Sequence, residues 1–207
     1  MQITKELVDA IHAGLDKGLT AGIGVQEEGK MCVEALICFK LGLPHSDKPT
    51  CVGEEVRKAK ISLNDGAWST EKVRAEGMRK LAIAQLGSDK LDQKEFRDKL
   101  KLNSTRKILP FIIQKHFEDC GDRKLLEYKQ KFESLKVLDD ALWSEFYNYN
   151  NYYYYYYYNY NYYNNYYYNY NYYYYYYYHN GDKFLLLVAN TILKTLQEMN
   201  CEGCKWI

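Results

Sequence analysis

Met31-Cys32-Val33-Glu34-Ala35-Leu36-Ile37-Cys38-Phe39-Lys40-Leu41 carries only two charged side chains, Glu34 and Lys40. Its apolar residues occupy every phase of a 3.6-residue turn, so it predicts a helix buried nearly all round. Gly42 and Pro44 stop it, the glycine taking a left-handed cap and the proline refusing continuation. A helix of this kind needs a shell of amphipathic partners, and the flanking sequence supplies them. Ile3, Leu7, Ala10, Ile11 and Leu15 form an apolar stripe between Thr4 and Gly18. After the Gly22–Gly29 loop and the buried run, Thr50 is expected to cap a helix carrying Val52, Val56, Ala59 and Leu63. Ser69 is expected to cap the next, with Trp68 stapled onto Val73, and with Val73, Gly77, Leu81 and Ala84 on its apolar face.

Helix signals continue to the far end. Asp92 with Glu95 has capping-box spacing and Leu91 with Phe96 has staple geometry. A further helix is expected over roughly 104–117, kinked or restarted at Pro110. From Asp122, Leu125, Tyr128, Phe132, Leu135, Leu138, Leu142 and Phe146 recur at intervals of three and four. A last helix is expected to start near Asp182, carry Leu185, Val188, Ala189, Ile192, Leu196 and Met199, and stop at Gly203. No segment reads as a convincing strand. The expected fold class is all-α.

One stretch departs from this patterning. Residues 147–179 comprise 23 tyrosines, nine asparagines and His179, with no charge, aliphatic residue, glycine or proline. Such a tract has no binary pattern to fold by. Seven tyrosines at 152–158 and seven at 172–178 read as near-copies, as slippage of an A/T-rich trinucleotide repeat would leave. Tyrosine and asparagine are mediocre helix formers, which favours disorder or β-type association. Against this, a helix entering from Asp122 has already passed nucleation, and no glycine or proline lies between Gly121 and Gly181 to stop it. The tract is therefore read as helical or disordered, with a single helix over 122–178 as the specific expectation. Read as an exposed arm, it is a surface for self-association or for a protein partner.

The chain has 207 residues, 28 basic and 27 acidic, for a net charge of +1. That balance gives no general pull toward nucleic acid or anionic membrane. Stacking of single-stranded nucleic acid on the tyrosines would need interleaved cations that the tract lacks, so no nucleic-acid partner is expected. Met1–Glu6 lacks the apolar region of a signal peptide, and Leu185–Val188 is far short of a membrane span. No membrane partner is expected, and the expected address is cytoplasmic, with the six cysteines as thiols.

Three side chains are candidates for chemistry. Cys32 sits at the start of the buried helix, where a thiol pKa can be lowered, and His45 or His116 could serve it as a base. Glu34 is a carboxylate on an apolar helix. It should pair with a base such as Arg57, Arg74 or Arg79, or face a pocket with His45. Cys201 and Cys204 have the spacing of half a zinc site, but no second such pair exists. The expectation is therefore no metal, with Cys201 and Cys204 as the weak alternative, and no cofactor. Gly22-Ile23-Gly24 follows no strand and makes a very weak phosphate loop. No complete catalytic constellation is present. A non-enzymatic interaction or structural protein is the first reading, and a small enzyme or ligand-binding protein using Cys32, Glu34 and His45 is the alternative.

Several blocks together carry a resemblance: Met31-Cys32-Val33-Glu34-Ala35, Leu41-Gly42-Leu43-Pro44-His45, Leu63-Asn64-Asp65 with Trp68-Ser69, Leu81-Ala82-Ile83-Ala84-Gln85-Leu86-Gly87, and Gly203-Cys204-Lys205-Trp206. With these the chain resembles an uncharacterised family of bacterial and phage-encoded proteins, over most of residues 5–110 and the final helix. Members carry an alanine-rich, often Ala/Tyr-repeating stretch at the position of the tract. The resemblance implies a helix there and transfers no chemistry. The expected organisation is a helical domain over 1–146, the low-complexity tract over 147–180, and a C-terminal helix over 181–207 packing back on the domain.

Overall fold

The structure, a computed structural model, describes residues 2–157 and 168–207, the side chains of 150–180 excepted. The fold is all-α. The helices are α1 (Lys5–Leu15), α2 (Val33–Lys40), α3 (Glu54–Asn64), α4 (Glu71–Ala84), α5 (Gln93–Cys120), α6 (Arg123–Glu133), α7 (Asp140–Tyr157) and α8 (Tyr168–Glu198), with short 3-10 turns at Ser88–Lys90 and Glu202–Trp206. The chain divides into two compact units, residues 1–103 with 177–207, and residues 104–176. That partition runs inside α5 and α8, where the sequence suggested boundaries at 146 and 180.

In the first unit α2 is the central element. Val33 through Cys38 are all buried, Glu34 included, and α2 packs against α1, α3 and α4. Complete burial of Leu36 and Ile37 is worth about 1.5–3 kcal/mol for each side chain. Leu185, Ala189, Ile192 and Leu196 from the C-terminal part of α8 join the same core. Thr4 caps α1, its hydroxyl accepting from the Leu7 amide.

Two caps differ from expectation. The N-terminus of α3 is capped by Gly53 rather than Thr50. Its amides are met from a distance instead: Gly53 N–H donates to Ser88 Oγ at 2.9 Å and Glu55 N–H to Gln93 Oε1 at 3.1 Å. Helix α4 is capped by Thr70. Ser69, the expected cap, donates to the Asp182 carboxylate, its amide at 2.8 Å and its hydroxyl at 2.6 Å. Gly203 is not the stop of the last helix, which ends at Glu198 with Asn200 in the left-handed region at φ 54°. Gly203 lies against the backbone at the C-terminal end of α4, where an added Cβ would stand 2.1 Å from the Ile83 carbonyl oxygen.

Helix α5 runs from Gln93 to Cys120, longer at both ends than the expected 104–117, and Pro110 lies inside it, so the chain does not restart there. Asp92 Oδ1 accepts from the Lys94 and Glu95 amides at its start. A mid-helix proline costs about 3 kcal/mol; buried Leu109 and Ile113 flank it and help offset that cost.

In the second unit the expected single helix over 122–178 is not formed. Asp122 caps α6, as its position suggested, but α6 ends at Glu133 and α7 begins at Asp140. The break has a side-chain cause: Asp139 accepts from the Leu142 amide at 2.9 Å, capping a new helix. The reversal brings Phe132 within 5.4 Å of Trp143 and 5.3 Å of Phe146, ring centre to centre, and Tyr128 within 5.2 Å of Phe146. Aromatic pairs in offset or edge-on geometry add about 0.5–1.5 kcal/mol each beyond burial. The tract is helical over 147–157 and 168–180, and residues 158–167 of the expected helix lie outside the described residues. Within α8 the backbone leaves helical geometry at Gly181 (φ 46°, ψ −140°), so a fresh helical stretch starts at Asp182.

Candidate functional site

The candidate chemistry gathers where α2 meets α3. Cys32 is the N-cap of α2, its sulfur accepting from the Ala35 amide at 3.4 Å. Glu34 lies in the first turn, where the positive end of the helix dipole favours a carboxylate. From α3, Lys60 reaches it: Nζ donates to Glu34 Oε1 at 2.7 Å, with side-chain exposures of 0% and 1%. None of the three arginines expected as its partner takes that place. Arg57 pairs with Asp47 at 3.3 Å, Arg79 with Asp16, and Arg74 donates to the carbonyls of Asn64 and Leu19. Arg57 still favours the ionised Glu34 through its charge.

Lys60 and Gln85 are the functional neighbours that inspection of charge alone overlooked. Lys60 falls between Val56 and Leu63 at helical spacing, so it occupies the buried stripe of α3, a signal that was present in the sequence. Gln85 is wholly buried at the end of α4 and favours the charged Glu34 without closing a well-formed hydrogen bond to it. Burial pushes the Glu34 carboxyl above its ordinary range, with Lys60 opposing that shift. It pushes the Lys60 ammonium below its ordinary value, with Glu34 opposing.

Cys32 and Glu34 share a cavity of about 60 Å³, with Ile23, Asp47, Asn64 and Asp65 also on its wall. His45 is not part of that wall; its Nε2 lies 3.1 Å from the Gly24 carbonyl oxygen. The structure thus brings together two of the three candidates and leaves the third apart. Burial raises the Cys32 thiol, outweighing the helix-terminal amides that lower it. A thiol held in that direction is poorly prepared to act as a nucleophile. Cys38 and Cys51 are likewise pushed up to about 11 by burial.

The Cys201–Cys204 pair has a structural setting. Cys201 Sγ faces the Leu86 carbonyl oxygen at 3.5 Å and Cys204 Sγ that of Ala84 at 3.9 Å. Burial pushes Cys201 up to about 12. Among the described residues no group of three or more His, Cys, Asp or Glu side chains is placed to hold a metal ion. No described helix is long and apolar enough to cross a membrane. Comparison of the chain with family models, curated proteins and solved structures finds no match.

Proposed function

We propose that this is a non-enzymatic, cytoplasmic interaction protein, in which helical units present the tyrosine/asparagine tract to a second copy or to a protein partner. The carrying observation is the sealed Glu34–Lys60 pair. The carboxylate best placed for chemistry is already engaged in holding α2 to α3, and its neighbour Cys32 is a helix cap. The tract supplies the complementary support: 23 phenols concentrated in 33 residues, in a chain whose folding cores use one other tyrosine, Tyr128. Six free thiols suit a reducing compartment. The family resemblance remains part of the proposal, as a source of architecture only.

The alternative reading, a small enzyme or ligand-binding protein at Cys32, Glu34 and His45, draws its support from the cavity beside Glu34. At about 60 Å³ that cavity is well below the roughly 300–1,000 Å³ of small-molecule sites. The test is sedimentation velocity over a concentration series, on the chain and on a full-length variant with the tyrosines of 152–158 and 172–178 replaced by serine. The proposal expects concentration-dependent association in the first and its loss in the second. Equal association in both, or a strictly monomeric parent with no partner-dependent shift, overturns it.

A further inference from the structure

Of the six thiols, Cys201 and Cys204 stand apart as a pair on one fixed turn. The Cys204 amide donates to the Cys201 carbonyl at 3.0 Å, at the start of the 3-10 helix Glu202–Trp206. A turn closed in this way holds its first and fourth Cα atoms within about 7 Å, against the roughly 4.4–6.8 Å that a disulfide spans. Side chains three apart in a 3-10 turn lie over one another. Both sulfurs accordingly face one short strip of backbone, Cys201 Sγ the Leu86 carbonyl and Cys204 Sγ that of Ala84. Burial raises the Cys201 thiol most, and the nearby Cys204 adds to that rise through its charge.

The turn is held in place by its surroundings. Gly203, between the two cysteines, donates its amide to the Leu86 carbonyl at 2.9 Å, and a side chain there would collide with the Ile83 carbonyl. Glu202 pairs with Lys90 at 2.7 Å on the exposed side. The spacing of the two thiols is therefore set by the fold, so their reaction with each other is intramolecular and needs no rearrangement of the chain. They differ in access: Cys201 is 1% exposed, whereas Cys204 is only half-buried. Cys32, Cys38 and Cys51 are all buried, so a pair drawn from them would have no accessible member.

We infer that Cys201 and Cys204 are a dithiol–disulfide couple, a modification site oxidised by a low-molecular-weight disulfide, with Cys204 as the entry thiol. The Cys204 thiolate attacks one sulfur of the small disulfide, the S–S bond of that molecule breaks, and one small thiol leaves. Cys201 then attacks Cys204 Sγ, the intramolecular S–S bond forms, and the second small thiol leaves. The two protons lost by the cysteines are those carried off by the two released thiols, and two electrons pass from the protein to the reagent. Burial pushes both thiols up, so the attacking thiolates are scarce and closure is slow. Thiols raised in this way are also poor leaving groups, so the closed disulfide reopens slowly. The couple suits a response to sustained oxidation, not rapid turnover.

The test incubates the folded full-length protein with a large excess of glutathione disulfide, alkylates the remaining thiols and reads the mass of the tryptic peptide 195–205. Cleavage after Lys194 and Lys205 leaves both cysteines and no other in that peptide. The expected peptide carries neither an alkyl group nor glutathione and has lost the mass of two hydrogens, and dithiothreitol restores both thiols. Cys201→Ser should instead hold one glutathionyl group on Cys204, and Cys204→Ser should leave Cys201 unmodified. Circular dichroism checks that both variants fold, and the parent peptide decides the matter should either fail to. A parent peptide with two glutathionyl groups, one left as two free thiols, or closure seen only in urea overturns the couple. Glutathione on Cys201 in Cys204→Ser overturns Cys204 as the entry thiol.

Discussion

Helix α2 and the α6–α7 hairpin both end in turns, but their boundaries are made by different chemistry. Gly42 and Pro44 follow α2, and both are backbone signals: Gly42 adopts φ 66° and proline cannot continue a helix. Between Glu133 and Asp140 there is neither residue. The chain reverses because Asp139 caps α7 and because Phe132, Trp143, Phe146 and Tyr128 bury one another only when it does. A stop written in backbone chemistry is visible one residue at a time. A stop made by packing becomes visible only when both partners are in place.

The comparison can be broken first at α2. Leu36→Asp puts a charge at a position 1% exposed in the most buried helix and should prevent folding altogether. A soluble variant with unchanged circular dichroism and melting temperature would show that α2 is not central. In the hairpin, Phe132→Ala removes the ring shared by Trp143 and Phe146 and should cost about 3–5 kcal/mol. The loss should appear as faster amide exchange across 123–133 and 140–149; unchanged exchange would mean that the aromatic cluster does not hold the reversal. The smallest effect is expected for the cap. Asp139→Ala loses one hydrogen bond to the Leu142 amide and should cost about 1 kcal/mol, measurable by urea titration. A gain in stability would instead favour the continuous helix.

Much of the fold was legible because its determinants are local. The apolar phases of 31–41, the Thr4 and Asp122 caps and the Leu185–Leu196 stripe are patterns within one element. Where tertiary contacts replace local ones, the reading failed: Ser88 and Gln93 meet the α3 amides in place of Thr50, and Thr70 rather than Ser69 caps α4. At the candidate site, Cys32 and Glu34 were correctly placed on one buried helix. The identity of the partner was not readable, because arginine is the usual choice for a buried pair and Lys60 sits on another helix. Its position on the α3 stripe marks it in retrospect, since a lysine on a buried face requires a counter-charge.

The pH dependence of the Glu34–Lys60 pair tests that structural role most directly. Burial holds Glu34 above its ordinary value, so its contribution is full below the unfolded carboxyl range and declines as pH rises toward the folded value. Lys60 is held below its ordinary value, so its contribution is full above the unfolded ammonium range and declines as pH falls toward the folded value. At neutral pH each charge alone is a burden that the other offsets. Chemical denaturation of Lys60→Met should therefore show a loss of about 3–5 kcal/mol at pH 7. That loss should shrink as pH drops and Glu34 takes up its proton, and the double variant Glu34→Leu with Lys60→Met should recover most of it. A Lys60→Met protein as stable as the parent at pH 7, with no change on acidification, would contradict the assignment of this pair as the polar lock between α2 and α3.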